Sequence, residues 1–144
     1  MTQQTILRVV AKLLIPYILL FALYAQFHGD YGPGGGFQAG VIFAAGFILH
    51  ALVFGLEATR RIARPVALEI LFALGLLLFA GTGVVAMLRG GNFLDYGALD
   101  RHDPVHGQHL GLLLVELGVG ITVASGLISI FFAFAGREIG RAHV

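Results

Sequence analysis

The chain has 144 residues, 58% of them hydrophobic and only 12% charged. Soluble domains run at about 45–50% apolar and about 25% charged, so this composition excludes an ordinary soluble domain and places most of the chain in lipid. A net charge of +1, with lysine and arginine dispersed, excludes an electrostatic nucleic-acid binder; the absence of cysteine excludes disulfides, a thiol nucleophile and thiolate metal sites.

A helix needs about 20 apolar residues to cross the roughly 30 Å hydrocarbon layer. Four stretches qualify, at about residues 6–27, 37–56, 66–88 and 109–135, so the sequence predicts one all-α integral membrane domain over residues 1–144. In the first stretch, Arg8 and Lys12 precede an apolar run that resembles a signal core. No small-residue cleavage site follows, so an uncleaved span is expected. Pro16 lies inside this span, where proline is better tolerated than in soluble helices. The second span carries no Asp, Glu, Lys or Arg. Glu69 alone interrupts the third, and Glu116 alone the fourth.

The basic residues set an expected orientation. Arg8, Lys12, Arg60, Arg61, Arg64, Arg137 and Arg141 fall on one side of a four-span arrangement, leaving Arg89 and Arg101 on the other. Both termini are therefore expected to face the cytoplasm. The 20 residues from Arg89 to Gln108 form the only substantial loop, rich in turn formers such as Asn92, Gly97, Asp100 and Pro104.

Few residues could carry chemistry. Glu116 is expected about two turns inside the fourth span, where a carboxylate costs about 2.5–3.5 kcal/mol and so should face protein or a wet cavity. It is either a protonatable or cation-attracting site on an ion path, or a hydrogen-bonded device that fixes assembly. Glu69, expected in the first turn of the third span, complements a helix dipole, with Arg61 and Arg64 nearby in sequence. His50 lies more than halfway along the second span, and Glu57 stands two helical turns further on along the same face. Histidine titrates near neutral pH and can relay protons, although a histidine in a span can equally bond a neighbour's backbone. Lys12 is either a buried cation on a proton path or a side chain that snorkels to the headgroups. The loop residues His102, Asp103, His106 and His109 lack a tight metal-ligand pattern, and no cofactor is expected.

The glycines have a packing use. Gly36, Gly40 and Ala44 recur every four residues, as do Gly118, Thr122 and Gly126, and such faces let helices approach closely in lipid. No Walker lysine follows Gly34–Gly35–Gly36, so a phosphate cradle is not indicated.

The segment from His28 to Gly40, His-Gly-Asp-Tyr-Gly-Pro-Gly-Gly-Gly-Phe-Gln-Ala-Gly, resembles the signature of the MnhB (MrpB) family, small membrane components of Mrp-type multisubunit sodium/proton antiporters. The stretch from His106 to Val123 resembles that family's last helix, including its acid at Glu116. The resemblance implies a small hydrophobic subunit that the complex requires, working with large antiporter-like subunits and other small ones, with Na+ and H+ as transported ions. It implies no enzyme activity and a place in a bacterial cytoplasmic membrane. Pro33, Gly34, Gly35, Gly36, Phe37, Gln38 and Gly40 are the matching motif positions, flanked on the outer face by titratable His28 and Asp30. Homologous subunits also occur in the sodium-translocating module of membrane-bound hydrogenase-type complexes, which leaves a redox-driven parent complex, or a purely structural scaffold role, as alternatives.

Overall fold

The computed structural model describes residues 2–28, 35–92, 98 and 102–142, and the regular elements among them are five helices. They are α1 (Thr2–His28), α2 (Gly36–Phe54), α3 (Leu56–Ile62), α4 (Pro65–Leu88) and α5 (Pro104–Ala142). Four of them, all except α3, are long and apolar enough to cross a membrane. Of the family-motif positions, Pro33 and Gly34 lie outside the described residues, as do Asp30 and the side chain of His28.

α1 runs unbroken through Pro16. Proline lacks an N–H, so the carbonyl of Lys12, four residues earlier, loses its helical donor. α2 and α4 are apolar all round their circumference, as helices are when lipid or protein covers every face. α5 has 39 residues, which at 1.5 Å each gives about 58 Å. That exceeds the hydrocarbon layer, so α5 extends beyond the core on at least one side.

The helices pack in the order α1, α2, α5, α4. Gly36 and Gly40 of α2 lie against the backbone of Glu116 and Gly120 in α5, so a β-carbon at Gly40 would come within 2.8 Å of the Gly120 carbonyl oxygen. On the other flank of α5, Gly75 of α4 meets Gly118 and Thr122, and Gly126 meets the Phe72 ring. Both four-residue stripes therefore form helix–helix seams, the close approach that small residues permit in lipid. α1 joins on α2, where Leu19 covers Gly46. α1 and α4 flank an apolar cavity of about 380 Å3 that all four spans line.

The first half of α1 and the last part of α5 come together at one end of the bundle. Lys12 of α1 reaches Phe54 at the end of α2, and Arg60 of α3 donates to the carbonyl of Phe132 near the end of α5. A buried cluster of Ala44, Leu56, Ala63, Leu68, Ile128 and Phe132 ties α2, α3, α4 and α5 together there.

Among the helix boundaries that differ from those read in the sequence, three have a clear physical reason. The second span ends at Phe54, because Gly55 adopts φ 100 and ψ 153, a region open essentially to glycine alone. The chain then restarts as α3, and exposed Glu57 no longer continues the face of His50. The third span begins at Pro65 with no acid in its first turn, which moves Glu69 to the second. The fourth begins at Pro104 instead of 109, because proline at a helix start loses no hydrogen bond.

Candidate functional site

The start of α2 leaves backbone N–H groups without helical carbonyls, and no side chain of its own caps it. Gly35 stands at that N-cap with φ 131 and ψ −178, again a glycine conformation, and its N–H donates to the Ala25 carbonyl of α1 at 3.1 Å. A β-carbon at Gly35 would lie 3.5 Å from Oε1 of Glu116. The half-buried carboxyl of Glu116 thus sits at the N-terminal end of α2, where the helix dipole favours a negative charge. Glu116 is twelve residues into α5, yet it is level with the mouth of α2 and not with its middle.

Gln26 of α1 completes this region. It is 5% exposed, its Oε1 lies beside Gly120, and its Nε2 has no hydrogen-bond partner. The side chain lines the four-helix cavity together with Ser125, whose hydroxyl donates to the Ile121 carbonyl at 2.6 Å. Sequence reasoning passed over Gln26. A polar amide inside an apolar span was the available signal.

A second group forms at the other end of the bundle. Lys12 and His50, from different spans, line one cavity of about 340 Å3 with Pro16, Phe54 and Ile62. Nδ1 of His50 is 2.7 Å from Oγ1 of Thr59, and the Thr59 hydroxyl donates to the Gly55 carbonyl at 3.1 Å. Thr59 is fully buried. The His50 ring stacks on Phe54 at 4.8 Å, and Nζ of Lys12 lies 5.8 Å from the centroid of that same Phe54 ring, within cation–π range.

The remaining candidates stand apart. Glu69 is exposed on α4. Phe37 and Gln38 are exposed, whereas Gly35, Gly36 and Gly40 are buried in seams. His102, Asp103 and His109 are exposed, and among the described residues no three potential ligands gather to hold a metal. Arg60, read in the sequence only as a loop charge, anchors α3 on α5 through the Phe132 carbonyl and ring.

This architecture defines a polytopic helical membrane protein with a half-buried carboxyl beside the start of one span, and a lysine and a histidine lining one cavity at the opposite end. The sequence matches the family described as a domain related to the MnhB subunit of Na+/H+ antiporter over residues 6–129. A protein of Staphylococcus haemolyticus (strain JCSC1435) is 33% identical over 135 residues, 92% of this chain and 95% of its own length. One of Staphylococcus aureus (strain Newman) is 33% identical over 133 residues, 91% of this chain and 94% of its own. Both carry the provisional name antiporter subunit mnhB2. The chain belongs to this MnhB-related family.

Proposed function

We propose that this chain is a small membrane subunit of a heteromeric Na+/H+ antiporter and that Glu116 borders an ion path shared with neighbouring subunits. Its partners are large antiporter-like subunits and other small hydrophobic ones. It sits in a bacterial cytoplasmic membrane with both termini inside, and it moves ions within a complex instead of transforming a substrate. Family membership supports the first part of this reading.

The observation that carries the second part is the placement of Glu116 at the start of α2. An ionised carboxylate deep in hydrocarbon is costly. Beside the first N–H groups of α2 and the positive end of its dipole, it can hold its charge or exchange a proton or cation. Glu69, by contrast, faces outward and meets none of these groups.

Affinity purification of the tagged chain in mild detergent, followed by mass analysis and reconstitution, tests the reading. The expected result is co-purification of antiporter-like subunits and exchange of Na+ for H+ by the resulting liposomes. Hydrogenase or other redox subunits in the purified complex would overturn it. A scaffold role has its own support in the two glycine seams. It predicts that removing the charge of Glu116 leaves transport unchanged.

A further inference from the structure

We propose that His50 and Lys12, together with the carbonyl freed by Pro16, form a proton-exchange station at the end of the bundle opposite Glu116. This inference rests on the antiporter reading and deepens it. The two spans bring the groups together across one cavity of about 340 Å3, room for several waters at about 30 Å3 each.

The hydrogen-bond chain fixes how the imidazole works. A threonine hydroxyl has a single proton, and that of Thr59 is donated to the Gly55 carbonyl at 3.1 Å. Its oxygen therefore accepts from Nδ1–H of His50 at 2.7 Å. In neutral His50 the lone pair is then on Nε2. A hydronium ion in the cavity transfers its proton to Nε2 and leaves water; the reverse step returns the proton to water. Nδ1–H stays on Thr59 throughout, so neither charge state breaks the chain.

The cavity also supplies partners for the water that must deliver the proton. Lys12 presents an ammonium, and the Lys12 carbonyl has lost its helical donor to Pro16 in the same wall. Lys12 is exposed at the surface, so beside the imidazole these two groups are the polar contacts a water in this mostly apolar cavity would have. The walls are otherwise apolar: Phe54 of α2 and Ala58 and Ile62 of α3. Of the other charged groups on α3, Arg60 is directed to the Phe132 carbonyl of α5, and Glu57 and Arg61 are exposed.

The test uses the complete complex in liposomes, with Na+-driven proton flux followed over about pH 5 to 8. His50→Gln keeps an amide donor for Thr59 but cannot take a proton. The expected result is an intact complex with flux reduced about tenfold or more and a flattened pH profile. An intact His50→Gln complex with the wild-type rate and profile would overturn the proposal. Should that variant fail to assemble, Thr59→Ser and Thr59→Val decide instead. Serine should preserve the profile. Valine should alter the profile, because it leaves Nδ1–H of His50 without its acceptor. Identical profiles for the two would count against the station. A wild-type complex without exchange would instead refute the antiporter reading itself.

Discussion

Gly55 and Glu116 show how single residues set this structure. Gly55 has φ 100 and ψ 153, and nothing lies within 4 Å of the point a β-carbon would occupy. Gly55→Ala therefore isolates backbone strain, and it should destabilise the chain by about 1–3 kcal/mol. Thermal unfolding of the purified complex would register this, and an unchanged midpoint would show that the break between α2 and α3 is not glycine-dependent. That Glu116 lies within an apolar helix was legible, because a lone carboxylate in an apolar run stands out. Its setting was not, since the span begins at Pro104 and the neighbour is the start of another helix. The partner of His50 was equally hidden. Continued helix past Phe54 points to Glu57, whereas the turn at Gly55 folds Thr59 back onto the ring.

Among the elements, α5 does most of the organising, with α2 and α4 seated on its two flanks. The seams were legible as four-residue repeats of small residues, because close approach in lipid demands missing side chains. Which helix each stripe faces was not legible, since hydropathy carries no pairing information. The seam between α4 and α5 gives a paired prediction. A β-carbon at Gly75 would collide with Thr122 Oγ1 and the Gly118 carbonyl, whereas one at Gly81, on the same helix, meets nothing within 4 Å. Gly75→Ala should lower the yield of assembled complex several-fold, and Gly81→Ala should leave it unchanged, as measured by native gel of solubilised membranes. Equal yields would mean that the seam relaxes freely. α3 was missed as an element because Leu56 extends the apolar run beyond the break, and a glycine within a span gives no firm stop.

Across the whole molecule, the four spans leave much of their apolar surface outward. Only 11% of the most apolar window of α1 is buried within the chain, so its other faces meet lipid or neighbouring subunits. The span count was legible from hydropathy alone. The side of the membrane rests on the distribution of arginines and can be tested directly, because the chain has no cysteine. Exposed Glu57 and Asn92 lie near opposite ends of α4. With termini inside, Asn92→Cys should react with an impermeant maleimide in intact cells, and Glu57→Cys only after permeabilisation. The opposite pattern would invert the orientation.

Ion handling by Glu116 is the claim on which the functional account turns, and Na+-driven proton flux through liposomes carrying the assembled Glu116→Gln complex tests it most directly. Glutamine keeps the shape and hydrogen bonding at the start of α2 but removes the ionisable group. The expected result is an intact complex whose flux falls about tenfold or more, with Glu116→Asp retaining part of it. An intact Glu116→Gln complex exchanging ions at the wild-type rate would contradict the account and leave the carboxyl as a packing device alone.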